Sequence, residues 1–263
     1  MKRILSVLFL ITLIASGCEI SSQNTSLPST RPDDLVIEYH DEIEGKDFYL
    51  SADSSYALFT LNDRSKKINF NMTAGDMNVL FKALQMNMFA RIDTLKLPFE
   101  NLTEEAKKPA YIVKVSWGGN TIEKYTSTDT QIKPEWREKY DNIVAAIQEM
   151  AYSGIEAVRR DFVLELDESV HPENSFITVD MNTFFSGDSL FFYNSNDMGK
   201  ENALNVRVLD GKNLLILFMN VKNPTPGQKF VMAEGSFEID ITPDMKGIRL
   251  YKEGDSFKYT PVK

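Results

Sequence analysis

The strongest constraint on the fold is a change of hydrophobic period near residue 160. Before that point, two segments that begin near Thr73 and Pro134 carry apolar residues every three or four positions, the spacing of a helix buried on one face. Beyond residue 160 this spacing is absent, and short apolar runs alternate with turn residues. Because helices and strands bury their apolar side chains differently, we predict two domains, an α+β domain over 35–152 and an all-β domain over 161–263.

The first of these regions begins with a predicted strand, LVIEYHDEI, in which apolar and polar residues alternate. The side chains expected to face the core are Leu35, Ile37, Tyr39 and Ile43, and those expected on the opposite face are Glu38, His40, Glu42 and Glu44. Further strands are predicted at SYALFTL, KINFNM, YIVKVSW and TIEKYTS. The GGN between the last two indicates a hairpin.

Two helices are predicted in the same region. Thr73 begins the first, with Asp76 three residues on as its capping-box partner. Pro134 suits the first turn of the second. The apolar stripes consist of Met77, Leu80, Phe81, Leu84 and Met88 in the first helix, and Trp136, Tyr140, Ile143, Ile147 and Met150 in the second. The order of elements predicts two helices on one face of an antiparallel sheet.

Residues 161–263 contain eight strand-like runs: DFVLELD, SFITVDM, SLFFYNS, ALNVRVL, NLLILFMNV, KFVMAEGSFEIDI, IRLYK and FKYTPV. This number of short strands in about 100 residues predicts a β-sandwich, with a small barrel as the alternative. Asp210-Gly211 predicts a tight hairpin, and Gly254-Asp255 marks a second turn. The segment AYSGIEAVRR, residues 151–160, is the predicted junction.

The amino terminus carries the chain's single cysteine, Cys18. Lys2 and Arg3 precede an apolar run that is shorter than the roughly 20 residues of a membrane-spanning helix, so residues 1–17 are predicted to be a signal peptide. The sequence Ala15-Ser-Gly-Cys resembles the lipobox of bacterial lipoproteins, with Ala15 where leucine is usual. The resemblance implies cleavage before Cys18 and acyl chains, such as palmitate, on that residue. An ordinary secretory signal is the alternative.

The segment after the cysteine, EISSQNTSLPSTRPDD, is rich in Ser, Thr and Pro. It offers little apolar surface to bury, so residues 18–34 are predicted to be a lipidated flexible tether. The lipobox resemblance implies a bacterial cell envelope. Glu19, rather than aspartate, follows the cysteine, which favours the outer membrane over the inner one.

The net charge of the chain and the catalytic motifs that it lacks argue against several classes of function. The net charge of −9 argues against nucleic acid as a partner. The chain has no Gly-x-Ser-x-Gly, His-Glu-x-x-His or Gly-x4-Gly-Lys motif, and only His40 and His171 supply imidazole. We therefore expect no catalytic activity and no cofactor.

Two groups of residues are candidate sites. Glu38, His40 and Glu42, with Glu44, could offer oxygen and nitrogen ligands to a divalent cation. Same-face neighbours on a strand lie about 6.5–7 Å apart, so at most two could bind one ion, and a solvated strand face is the favoured interpretation.

The second group consists of the aromatic pairs Phe184-Phe185 and Phe191-Phe192, which flank SGDS. Adjacent strand residues point to opposite faces, so one ring of each pair should face away from the sandwich core. If those rings are uncovered they form a partner-binding patch. The favoured interpretation is that a second sheet and the first domain cover both faces.

Residues 73–150 also resemble the emfourin-type domains, small bacterial inhibitors of thermolysin-like metalloproteases. The shared features are a helix ending in Phe89-Ala-Arg-Ile, a Gly-turned hairpin and a closing helix, whereas the family's early Gly-Gly is replaced here by DEIEGKD. We expect a lipid-anchored envelope protein that binds another protein. A metalloprotease inhibitor is the second hypothesis, and an envelope enzyme that uses carboxylates is the third.

Overall fold

A computed structural model of the protein describes residues 26–61, 64–99, 102–170, 175–182, 192–194, 203–221 and 223–263. Half of these residues lie in β-strands, and two α-helices accompany them, α1 (Ala74–Met86) and α2 (Pro134–Ala157). The strands of the first half are β1 (Val36–Asp41), β2 (Lys46–Ser51), β3 (Ser55–Leu61), β4 (Arg64–Phe70), β5 (Thr94–Lys96), β6 (Tyr111–Trp117), β7 (Asn120–Thr126) and β8 (Thr130–Ile132).

Six of these strands form one antiparallel sheet in the order β4-β3-β2-β1-β6-β7, and β5 pairs with β8 beside it. The inward residues of the sheet alternate with outward ones, as in Ile37, Tyr39, Phe48 and Leu50, which are all buried. The two helices contact each other, and α2 crosses the same face of the sheet. The predicted sheet with helices on one face is confirmed.

The helix boundaries follow local chemistry. Thr73 caps α1, and its side chain and that of Asp76 bond each other's backbone N–H groups, so the predicted capping box is confirmed. Met88 is not part of the buried stripe, because α1 ends at Met86 and Met88 adopts a left-handed conformation with its side chain exposed. Helix α2 continues to Ala157, so the predicted junction at 151–160 lies mostly inside a helix.

The second half contains β9 (Arg160–Leu166), β10 (Ser175–Asn182), β11 (Phe192–Asn194), β12 (Ala203–Val208), β13 (Gly211–Val221), β14 (Val231–Ile241), β15 (Gly247–Glu253) and β16 (Ser256–Val262). They form two four-stranded sheets, β11-β10-β13-β14 and β12-β9-β15-β16. All pairings are antiparallel except β9 with β15, which is parallel. Inward residues from both sheets, such as Leu164, Leu217 and Leu250, share one buried core. This is sandwich packing.

The turn at Asp210-Gly211 is real, but the predicted hairpin is wrong. Gly211 has the positive φ that the turn requires, yet β12 pairs with β9 while β13 pairs with β10 and β14. The chain therefore crosses from one sheet to the other at this point. Leu209, just before the turn, is buried and packs against the core of the first half rather than that of the sandwich. The Asn213 amide holds the turn by donating to the Leu209 and Gly211 carbonyls, at 3.0 and 2.8 Å.

Polar contacts also join the two halves. Arg207 of β12 pairs with Glu156 near the end of α2 at 2.6 Å. Glu156 also pairs with Arg159 at 2.8 Å. Lys66 of β4 donates to the Lys212 carbonyl at 2.7 Å, and burial lowers the pKa of Lys66 to about 8.

Residues 26–34, the last part of the predicted tether, contact the first half of the fold. Leu27 packs against the core of the first half, and the Gln85 side chain of α1 donates to the Pro28 and Ser29 carbonyls at 2.9 and 3.2 Å. Arg31 donates to Asn78 at 2.7 Å. The expectation of a flexible tether thus fails for residues 26–34, because Leu27 supplies apolar surface and α1 supplies donors and acceptors. Within the described ranges, neither helix has the length and apolarity to cross a membrane.

Candidate functional site

One end of the six-stranded sheet forms a cleft beneath the first half of α2. Its walls come from the end of β1 and the turn after it, the start of β6, the end of β7, and β8. The cleft has a volume of about 480 Å³, which lies within the range of small-ligand pockets. We call it the Tyr140 cleft. It is lined by Tyr39, Ile43, Ala110, Tyr111, Thr126, Ser127, Thr128, Gln131, Ile132, Arg137, Tyr140, Asp141 and Val144.

Tyr140, one of the lining residues, has a buried hydroxyl that is unpaired within the described part of the chain. The helical spacing of α2 turns Tyr140 inward together with Ile143 and Ile147, and its side chain is only 6% exposed. Its hydroxyl has no hydrogen-bond partner among the described residues. Burial raises the pKa of Tyr140 above that of a free phenol, and the nearby Asp141 carboxylate adds to the shift. The hydroxyl therefore stays protonated at neutral pH and can donate one hydrogen bond.

Tyr39, in the same cleft, is a tyrosine whose hydroxyl is paired. It donates to the Asp41 carboxylate at 3.3 Å and accepts from the Gln148 amide at 3.4 Å. Asp41 is 2% exposed and also accepts from the Glu44 backbone N–H at 3.0 Å. Burial raises the pKa of Tyr39, and the charge of Asp41 raises it further. The cleft thus contains one satisfied and one unsatisfied buried phenol.

Two opposite charges stand at the mouth of the cleft. Arg137 and Asp141 lie one turn apart on α2, and both are exposed. Within the part of the chain that the structure describes, neither makes an ion pair or a hydrogen bond. The charges of these two side chains are opposite, and one group donates hydrogen bonds while the other accepts them.

Ile43 completes the rim as an exposed apolar side chain. The sequence pattern predicted that Ile43 would be buried with Tyr39, but it is 69% exposed. The strand ends at Asp41, and residues 42–45 form a turn that closes at Gly45 with a positive φ. A Cβ at Gly45 would also collide with the Thr60 carbonyl, so this position favours glycine. The turn breaks the alternation and moves Ile43 to the cleft edge.

The candidate metal residues are occupied with other partners. Glu38 pairs with Lys114 of β6 at 2.8 Å. His40 contacts Asp47 of β2 and lies 3.6 Å from Glu42, and Lys46 pairs with Glu44. Glu42 and Glu44 belong to the turn, not to the strand face on which they were predicted. In the described ranges, no three His, Cys, Asp or Glu side chains are grouped so that they could hold one ion.

The environment of His40 fits a paired imidazole on a solvated sheet face. Partial burial lowers its pKa, and the Asp47 and Glu42 carboxylates outweigh this, so the pKa of His40 lies above its ordinary value. The neighbouring Tyr49 and Tyr56 rings stack at 5.3 Å, and the Lys67 ammonium sits 3.8 Å from the centre of the Tyr56 ring. The groups on this face bind one another.

Several predicted site residues lie outside the described ranges. These are Cys18 with the signal peptide, and the aromatic residues Phe184, Phe185 and Phe191. Phe192 begins β11, at the edge of its sheet, and only its backbone is described. The lipid attachment and the aromatic patch remain predictions.

The sequence pattern predicts Tyr140 as part of the helical core stripe and indicates no functional role for it. The one available signal was chemical: the stripe position carries a hydroxyl, and Arg137 and Asp141 flank it on the same helix.

Comparison with known proteins does not assign a family. No protein-family model and no curated protein matches the chain. A crystal structure of a candidate cell adhesion protein from Bacteroides fragilis NCTC 9343 aligns over 90% of this chain and 92% of its own, with 9% sequence identity and a TM-score of 0.20. A TM-score this low does not establish a common fold.

Proposed function

We propose that the protein is a lipid-anchored envelope protein that binds another protein through the Tyr140 cleft and does not catalyse a reaction. One observation carries the proposal: Tyr140, which lines this mainly apolar cleft, has a buried hydroxyl with no partner among the described residues. An unsatisfied buried hydroxyl costs about 1–3 kcal/mol of stability. Phenylalanine at position 140 would avoid that cost, so a hydroxyl there has a use if a bound partner supplies the missing acceptor.

The chemistry of the cleft favours a polypeptide segment as the ligand. Apolar atoms dominate its walls, which suits an aliphatic or aromatic side chain. At the mouth, Arg137 can donate to a backbone carbonyl and Asp141 can accept from a backbone N–H. A free anion fits less well, because Asp141 offsets Arg137 and the chain has a net charge of −9.

The lipobox resemblance supports the envelope location. Acyl chains on Cys18 would retain the protein at a membrane while leaving the cleft free to bind. The helix–hairpin–helix order of α1, β6–β7 and α2 supports a metalloprotease as one class of partner, in line with the emfourin resemblance. The order of these elements does not identify any inhibitory residue.

Two conservative substitutions test the unpaired hydroxyl. Tyr140→Phe removes a group that has no partner, so we expect the free energy of unfolding to stay within about 0.5 kcal/mol of wild type or to rise. Tyr39→Phe is the matched control, because it removes a hydroxyl bonded to Asp41 and Gln148, and should cost about 1–2 kcal/mol. Urea unfolding of both variants measures the difference. If Tyr140→Phe is as destabilising as Tyr39→Phe, the hydroxyl has a partner in the folded protein, and the main support for the cleft is lost.

A further inference from the structure

The described chain begins at a fixed place on the first half of the fold. Leu27 packs against the core, and Gln85 holds the Pro28 and Ser29 carbonyls. Ser26 consequently lies beside the carboxyl end of α1, where it lines a shallow hollow with Met88 and Arg91. A membrane anchor at Cys18 would therefore be connected to the domain at Ser26, beside the carboxyl end of α1.

The surface at that point is apolar and basic. Met86 is 79% exposed and Met88 is 42% exposed, although large apolar side chains are usually covered. Residues 82–92 include Lys82 and Arg91, both exposed, and no acidic residue. The Lys139 ammonium of α2 adds a third cation, 3.7 Å from the Met88 sulfur. We call Lys82, Met86, Met88 and Arg91 the α1 tip.

This composition contrasts with the rest of the molecule. The whole chain has a net charge of −9, whereas residues 82–92 carry two cations and no carboxylate. Exposed apolar side chains flanked by cations are typical of surfaces that lie at a lipid interface, where the apolar groups enter the headgroup layer and the cations attract anionic lipids. Methionine is flexible and polarizable, which suits an irregular surface of this kind.

Chain length limits how far the tip can lie from the bilayer. Eight residue steps separate Cys18 from Ser26, and even a fully extended chain spans at most about 29 Å over that length. Since Ser26 lies beside Met88 and Arg91, this linker keeps the α1 tip within reach of the bilayer.

We infer that the α1 tip rests on the bilayer that holds the acyl chains, with Met86 and Met88 in the headgroup layer and Lys82 and Arg91 facing anionic lipids. This inference rests on the lipid anchor of the proposed function. It adds a second contact between protein and membrane, and so a defined orientation for the anchored domain.

Depth-dependent quenching tests the inference on the full-length acylated protein. The protein is reconstituted into vesicles of phosphatidylethanolamine and phosphatidylglycerol that contain a doxyl-labelled lipid, and Met86→Cys carries a fluorophore. Met86 is exposed, so the substitution should not affect folding. The control is Asp255→Cys, in the exposed β15–β16 turn. We expect the label at 86 to lose about half or more of its fluorescence and the label at 255 to lose none.

Flotation of the same samples distinguishes failure of the α1 tip contact from failure of the lipid anchor. If the protein floats with the vesicles but the labels at 86 and 255 are quenched equally, the α1 tip does not rest on the bilayer. The lipid anchor of the proposed function is then retained. If the acylated protein does not float, the anchor is wrong and the tip inference is overturned with it.

Discussion

Replacing Gly154 with valine is expected to lower the free energy of unfolding by about 3 kcal/mol, the upper end of the usual cost of overpacking a core. Gly154 lies on the buried face of α2, directly over Phe70 of β4. A Cβ added to Gly154 would come within 2.6 Å of the Phe70 Cε2 atom. The Phe70 ring is 4% exposed, and close-packed cores leave little room for a ring to move, so we expect the helix to shift away from the sheet.

A second helical glycine provides the control. Gly75 lies in the first turn of α1, and a Cβ there meets only the Thr73 hydroxyl, at 3.3 Å. Gly75→Ala should therefore change stability by less than about 1 kcal/mol. For Gly154→Val we expect a melting temperature lower by about 6–12 °C. A Gly154→Val protein that melts with the wild type would mean that α2 does not pack on β4 as described.

Replacing Cys18 with serine is expected to abolish membrane attachment. Cys18 is the only thiol, so no other residue can take a thioether-linked lipid. Each buried CH₂ contributes about 0.8 kcal/mol, and two or more acyl chains anchor a protein stably where one is marginal. Losing them removes many kilocalories per mole of membrane affinity, far more than the α1 tip could supply alone.

Labelling of cells with a palmitate analogue, followed by a high-pH wash of the membranes, measures this loss. Wild-type protein should be labelled and remain with the membranes, and Cys18→Ser protein should be unlabelled and appear unprocessed or in the soluble fraction. Labelled Cys18→Ser protein, or mutant protein that resists the wash, would contradict the lipoprotein assignment.

Much of the secondary structure could be predicted from local patterns. Each of the eight strand-like runs after residue 160 contains a strand within its described residues, and the Thr73 capping box forms, because alternation and capping depend on neighbours in sequence. Strands β2, β5 and β8 were missed: the glycine-containing segment before β2 indicates a turn, and β5 and β8 are only three residues long. The crossing at Asp210-Gly211 was also missed. A turn signal fixes the local bend, but which sheet each flanking strand joins depends on distant partners.

The candidate site could not be predicted in the same way. A tyrosine in a helical stripe is typical of a core residue, and Tyr140 is indeed buried. Whether its hydroxyl finds a partner depends on the positions of Tyr39, Asp41 and Gln148, which lie on other elements. Likewise, the exposure of Ile43 depends on where β1 ends. Residues 27–34 looked free in sequence because their partners, Gln85 and Asn78, come more than 40 residues later.

Site-specific photocrosslinking in intact cells tests the central claim, that the Tyr140 cleft binds another protein. A photoreactive phenylalanine analogue replaces Ile43 at the cleft rim, and in a control protein it replaces Phe230, an exposed apolar residue of the sandwich half. We predict one discrete adduct from position 43, none from position 230, and about fivefold less adduct when Tyr140→Phe is added, since one hydrogen bond contributes about 1 kcal/mol. No adduct from position 43, or an adduct that Tyr140→Phe leaves unchanged and position 230 reproduces, would contradict the account.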